Sequence, residues 1–378
     1  LIVFTTPSEA RGSGGFAGNW AELVVDNGNL SLVDAGRGDD INQALPPFGI
    51  NVPEDLRNLY DGFELQTTFQ NVPVKPNYPT VASLARFQFE AAFDRDVDAV
   101  IGVDHAGIGG GVQLTGPVEV TGPMMNAAQI EEFVLRGQYE AFPDDDEARL
   151  QALDDLTFNV FDQLVNAELP SPATIVDIFE PLIEGNHVRL VSFDNDEAVA
   201  LDRVGLSGSF PVAAGQDLVA VVTQNLGENK IDIFLEREIS YRTVVDTDTG
   251  LAQSVLTVAL TNNAPADGLP DAIIGNNDQG LPFGTNKTRV QIYTRLDVDS
   301  ATLDGLPIDF IAEEELGWVR HRRDLWLDSG QTEVIEVQLA GLVDLAEGYV
   351  LHVDHQPLAN NDVVNLEVEV ASGEKIQE

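Results

Sequence analysis

The sequence predicts an α/β domain followed by an all-β domain, and three observations carry that reading. At 378 residues, two domains with separate cores are expected. Up to about residue 232, apolar runs of strand length alternate with stretches of helical period. From Ile233 the helical period disappears, and short alternating runs rich in Val, Thr and Ile follow one another between turn clusters. The expected division is therefore 1–232 and 233–372, with a frayed tail at 373–378.

Residues 1 to about 35 read as strand, glycine loop, strand, turn and strand. The loop lies within Glu9-Ala10-Arg11-Gly12-Ser13-Gly14-Gly15-Phe16. Glycine leaves backbone amides uncovered and adopts positive φ at low cost, so such a loop can wrap an anion, with Arg11 as a fixed positive fork. The alternative is an ordinary hairpin in which Arg11 pairs with Glu9 or Asp39. Asp26-Asn27-Gly28-Asn29 is a hairpin turn. Arg37-Gly38-Asp39-Asp40 follows the third strand. A helix is expected from Asn77-Tyr78-Pro79 to Phe93, with Val81, Leu84, Ala85 and Gln88 on one stripe.

Val97 to Asp104 has the length of a strand covered on both faces, and Asp104 stands at its C-terminal end, where open α/β sheets place ligand contacts. Gly107 to Gly111 is not a dinucleotide fingerprint, because Val112 replaces the third glycine and the residues beyond read as a hairpin over 112–120. Asn126 caps a helix to Phe142 that carries Arg136, and a second helix from Asp145 to Val165 carries Arg149. Glu132 is a surface partner for Arg136, and Asp144 to Asp146 are partners for Arg149. Helix, strand and helix are expected over 173–183, 188–193 and 196–204. A buried strand over 218–222 precedes a polar loop holding Lys230. The alternating runs after Ile233 carry the signature of an immunoglobulin-like β-sandwich.

There are 63 acids against 20 bases, a formal charge of −43, and only four of the bases are lysines. Such a charge repels nucleic acid and anionic membrane surfaces, so no nucleic-acid role is expected. An acidic shell poor in lysine suits high salt, which screens self-repulsion and points to a halophilic source. The absence of cysteine excludes disulfides, thiol nucleophiles and cysteine-ligated metals. No apolar run reaches the roughly 18 residues of a membrane span. The chain opens directly on an apolar strand, so an upstream anchor is expected. Two sequons, at Asn29 and Asn286, permit glycosylation.

What chemistry remains is phosphate chemistry. Arg11, Arg37, Arg136 and Arg149 fall beside loops or helix starts, and Asp39, Asp40 and Asp104 offer hard oxygen ligands. Asp39 and Asp40 are candidate ligands for Mg²⁺; helix or turn capping is their structural alternative.

Six ordered motifs carry a resemblance. They are Glu9-Ala10-Arg11-x-x-Gly14-Gly15-Phe16, Val97-Asp98-x-Val100-Ile101-x-Val103-Asp104, Leu114-Thr115-Gly116-Pro117-Val118, Asn229-Lys230-Ile231-Asp232, Thr261-Asn262-Asn263-Ala264-Pro265 and His355-Gln356-Pro357-Leu358. Along the whole chain they resemble the envelope family known as the domain of unknown function numbered four thousand and twelve, which implies no activity. Residues 1–165 also resemble the LytR-CpsA-Psr phosphotransferases, which move glycans from a polyprenyl pyrophosphate. That resemblance implies that Arg11, Arg37, Arg136 and Arg149 grip the pyrophosphate and that Asp39 or Asp40 holds Mg²⁺. In this chain Gly12-Ser13-Gly14 stands where that family has Ser-Asp-Thr, its paired arginines reduce to Arg136, and its last Arg-Gln is missing.

The expected function is an extracytoplasmic, anchored envelope protein that binds, and in the enzymatic version transfers, a lipid-linked phosphate or glycan. Arg11, Arg37, Asp39 and Asp40 are its catalytic candidates, and Gly14, Gly15, Asp104, Arg136, Arg149 and Lys230 its binding candidates. The alternative is a non-catalytic structural or surface protein that contacts other copies or envelope proteins through the sandwich.

Overall fold

Strand pairing continues through the glycines. In the computed structural model, β1 (Ile2–Arg11) and β2 (Gly14–Asp26) form a hairpin around Gly12-Ser13, so most of the expected glycine loop is strand. The structure describes all residues except 169, 213–214, 276–279, 347, 371–374 and 377–378. Asn27 and Gly28 both have positive φ, as a two-residue hairpin turn requires, and lead into β3 (Asn29–Arg37). After α1 (Gly38–Ala44) and α2 (Glu54–Leu59) comes α3 (Tyr78–Phe93), which buries Val81, Leu84, Ala85 and Gln88 as its spacing predicts.

β4 (Ala99–Val103) lies parallel to β1. Residues 105–115 are a helix, α4 (His105–Thr115), which takes up the start of the hairpin expected over 112–120. Two causes outweigh the poor helix propensity of four glycines. The Asp104 carboxylate accepts hydrogen bonds from the amides of Ala106 and Gly107 at 3.0 and 3.2 Å. The missing side chains also admit neighbours: a methyl at Gly110 would fall 2.4 Å from Leu182, and one at Gly109 2.2 Å from Glu131.

Short strands β5 (Val118–Glu119) and β6 (Met124–Met125) pair next. Asn126 and Gln129 form a capping box for α5 (Ala127–Glu132), which continues through a π turn at Phe133–Gly137 into α6 (Gln138–Ala141). α7 (Asp146–Asn166) and α8 (Pro172–Glu184) are capped by Asp145 and Ser171. β7 (Val188–Ser192) pairs antiparallel with β4, and α9 (Asn195–Arg203) follows. The sheet order is β3-β2-β1-β4-β7, a mixed sheet within an α/β unit.

That unit comprises Leu1–Ser209 and Gln356–Ala359; the second comprises Phe210–His355 and Asn360–Glu378. The division therefore falls near residue 209 and not at 232. The strand responsible is β8 (Asp217–Asn225), buried along its whole length and paired within the second unit. An apolar run marks a strand covered on both faces without saying which sheet it joins.

The second unit continues with β9 (Leu235–Val245), β10 (Leu251–Asn262), β11 (Asn286–Thr294), β12 (Asp297–Leu303), β13 (Leu306–Pro307) and β14 (Ile311–Glu315). β15 (Trp318–Leu327), β16 (Thr332–Leu342), β17 (Leu351–Asp354) and β18 (Val363–Val370) complete it. One sheet runs β13-β12-β16-β10-β9-β18, with Lys375–Ile376 added outside β18, and the other runs β14-β15-β11-β8-β17. Inward residues of both sheets share one core, including Val219, Ile239, Leu256, Val258, Ile292 and Ile335. Asn286 is fully buried and donates to Asp232, so its sequon is closed by the fold, whereas Asn29 is exposed. Of the tail expected to fray, 373–374 and 377–378 lie outside the described residues, while Lys375–Ile376 pair with β18.

Candidate functional site

The glycine turn is closed rather than open to a ligand. Residues 10–15 are all buried. The Ser13 amide donates to the Pro73 carbonyl at 2.8 Å, and the Ser13 hydroxyl to the Lys75 carbonyl at 2.6 Å. A methyl at Gly12 would lie 2.2 Å from the Val74 oxygen, and one at Gly15 1.9 Å from the Thr6 oxygen. These glycines serve backbone-to-backbone contact, which explains them without an anion. Gln356 donates to the Arg11 carbonyl at 2.8 Å, so the Gln356-Pro357 motif covers the same turn.

Arg11 is 4% exposed and held by the chain itself. Nη2 meets Glu9 Oε1 at 2.8 Å, and Nε and Nη2 reach Asn71 Oδ1 at 3.1 and 3.0 Å. Of the two partners offered by the sequence, Glu9 is the one used. Arg136 bridges Glu132 and Glu140 at 2.7 and 3.2 Å along its helix. Arg149 pairs with Asp146 at 2.9 Å, donates to Gln138, and lies 4.9 Å from the Tyr139 ring centre. Arg37 is only half-buried; its amide donates to Asp40 Oδ2 at 2.7 Å, and its charge is felt by Asp154. Arg11, Arg136 and Arg149 are thus each paired with an acid of the chain, whereas Arg37 acts on Asp154 only through its field.

Asp39 accepts from Gln70 at 2.6 Å, and Asp40 caps the first turn of α1. Among the described residues no group of three or more His, Asp or Glu side chains could hold a metal. Asp39 and Asp40 are thus engaged as the capping alternative expects, by Gln70 and by the Arg37 amide. Lys230 belongs to the second unit, where its amide bonds to the Ala272 carbonyl.

Asp104 is different. It is fully buried at the end of β4, where one oxygen caps α4 and the other meets His187 Nδ1 at 2.7 Å. His105 Nδ1 stands 3.8 Å away, and the two imidazoles meet edge to face at 5.9 Å. Burial opposes charge on Asp104 and His187 alike, yet their mutual attraction and hydrogen bond prevail. The carboxyl is held below, and the imidazole above, its ordinary value. Burial pushes His105 the other way and keeps it neutral. Two residues beyond His187, Arg189 is 1% exposed; Nη1 donates to the Ser13 carbonyl at 2.7 Å, and its Cζ lies 4.4 Å from the Tyr78 ring centre. Asp104 and the glycine turn, both singled out in the sequence, therefore meet at an arginine that was not.

His187, Arg189 and Tyr78 escape a reading by local motif because β4 and β7 become neighbours only through the fold. The available signal was scarcity: two of five histidines and one of few bases flank strand ends. An open cleft of about 510 Å³ runs between α4 and α5, with Glu131 as its one charged lining residue. Burial, then repulsion from Asp104, raises the Glu131 carboxyl.

Fold and site define a protein with an α/β unit, an all-β unit and a buried acid–imidazole–guanidinium cluster in the first. Residues 1–139 match the profile of the family described as "Protein of unknown function (DUF4012)", the family to which the motifs point; that span holds the first three of the six. No curated protein matches the chain. Solved structures with partial likeness include a protein of Legionella pneumophila described as nutrient-binding, at 4% identity and TM-score 0.22, covering 33% of this chain and 42% of that one. An M1 zinc metallopeptidase from Deinococcus radiodurans matches at 13% identity and TM-score 0.17, covering 30% and 21%. The chain spans less than half the length of either structure. Among the described residues no helix is long and apolar enough to cross a membrane.

Proposed function

We propose that this chain is a non-catalytic structural protein of the extracytoplasmic envelope of a cell living at high salt. In this reading the all-β unit is an immunoglobulin-like sandwich that makes the assembly contacts, and the LytR-CpsA-Psr likeness of the α/β unit is one of scaffold. A single observation carries it. Three of the four arginines that a pyrophosphate clamp requires, Arg11, Arg136 and Arg149, are engaged by acids of the chain, above all Arg11 by Glu9 deep in the core. Electrostatic catalysis of phosphoryl transfer needs cations aimed where charge develops, and a guanidinium already held by a carboxylate is not so aimed. The acidic surface suits the screening of a saline exterior.

Purified protein incubated with a polyprenyl-pyrophosphate glycan and Mg²⁺ is expected to release no more pyrophosphate or carrier than buffer. Protease added outside intact cells is expected to digest it. Transfer that is abolished by Arg37→Ala would overturn the non-catalytic reading, and resistance to external protease with digestion after lysis would overturn the location.

A further inference from the structure

Four arginines are buried among the described residues: Arg11, Arg189, Arg237 and Arg320. Three have a carboxylate in direct contact, from Glu9, Asp362 and Glu315 with Glu313 respectively. Arg189 has none. Its Nη1 meets only the Ser13 carbonyl, and its Nε and Nη2 atoms are enclosed with no acceptor among the described residues. Those two atoms form the edge with which a guanidinium recognises an anion through parallel N–H groups. The Tyr78 hydroxyl is a third enclosed donor without a partner, on the ring against which the guanidinium lies. Asp104 acts on Arg189 through space, but both its oxygens are engaged by the α4 amides and His187.

A buried cation with two enclosed N–H atoms and a neighbouring hydroxyl lacking acceptors, and no carboxylate in contact, calls for an anion. Backbone closes around the group on several sides. A methyl at Gly102 would meet the Tyr78 oxygen at 2.4 Å, and one at Gly208 the Arg189 Cδ at 2.9 Å. Gly14, at φ +102, lies beside the same group: a methyl there would meet the Pro357 ring at 3.1 Å and Nη2 at 3.6 Å. Phosphate would bring more oxygens than these donors serve and would place a second charge near Asp104. We propose that the Nε/Nη2 edge of Arg189 and the Tyr78 hydroxyl bind one halide ion, chloride in the cell, as an internal counter-ion of the first unit.

The test uses the full chain in two measurements. Crystals soaked in sodium bromide should show an anomalous peak between the Arg189 edge and the Tyr78 oxygen. Thermal unfolding is compared in chloride, bromide, gluconate and inorganic phosphate at matched ionic strength. With halide about tenfold above its dissociation constant, the expected gain over gluconate is about 3–6 °C. Tyr78→Phe, which keeps the ring, should shrink that gain, and Arg189→Gln should abolish it. Should Arg189→Gln fail to fold, Tyr78→Phe and the bromide peak still decide. An ordered water there, bromide bound only elsewhere, stabilisation by phosphate but not by halides, or an equal halide gain in wild type and Tyr78→Phe would each overturn the assignment.

Discussion

Arg11 and His187 show how single buried charges are settled in the first unit. Glu9 lies two residues before Arg11 on the same strand, so both side chains leave one face; the sequence offered this pair with Asp39 as the other candidate, and the strand decides for Glu9. The Asp104–His187 pair was not, because 83 residues separate its members and only the β4–β7 pairing joins them. The two pairs predict different behaviour on titration. His187 has a raised folded value, so its contribution to stability is complete below the ordinary histidine value of 6.5 and fades as pH rises through the folded one. Asp104 is depressed, so its contribution stands above the ordinary value of 3.8 and fades as pH falls through the folded one. His105, kept neutral by burial, opposes His187 and favours the fold above 6.5. By NMR, the His187 midpoint should lie above 6.5 and drop in Asp104→Asn; a midpoint unmoved by that substitution would deny the coupling. In urea titrations, the loss of stability on the alkaline side should be smaller in His187→Gln than in wild type.

At the scale of elements, glycine was the ambiguous letter. Helices announced by start signals and apolar stripes stand where those signals put them: α5 and α7 because Asn126 and Asp145 satisfy their first amides, α3 because Pro79 lies in its first turn. Glycine clusters at 12–15 and 107–111 lack such a rule. A flexible loop and a close-packed element share that composition, and only the neighbours decide between them. Here the neighbours are the Thr6 and Val74 carbonyls for the hairpin, and Glu131 and Leu182 for α4. Gly15→Ala would place a methyl 1.9 Å from backbone and should destabilise by about 3 kcal/mol or more. Gly18→Ala has only the Phe16 ring at 3.9 Å and should be neutral or stabilising by about 0.5 kcal/mol. Chemical denaturation measures both; equal costs at the two positions would show that close approach is not what fixes glycine there.

Across the whole molecule, the two-part composition was readable because the loss of helical period after Ile233 is physical: a two-sheet core needs alternation, not a 3.6-residue stripe. The boundary was misplaced by one fully buried strand. Charge acts at the same scale. With a formal charge of −43, self-repulsion opposes folding until salt screens it, so the unfolding midpoint should rise steeply with sodium gluconate from low to high ionic strength. A flat response would mean that surface repulsion is not limiting. Against that negative background, the proposed reading makes Arg11 an internal counter-charge to Glu9 rather than a ligand hook. A double-mutant cycle of Glu9→Gln and Arg11→Met, followed by urea denaturation, tests this most directly. The expected coupling is about 2–3 kcal/mol. Coupling near zero, with Arg11→Met fully stable but weakened in binding a polyprenyl pyrophosphate, would contradict it.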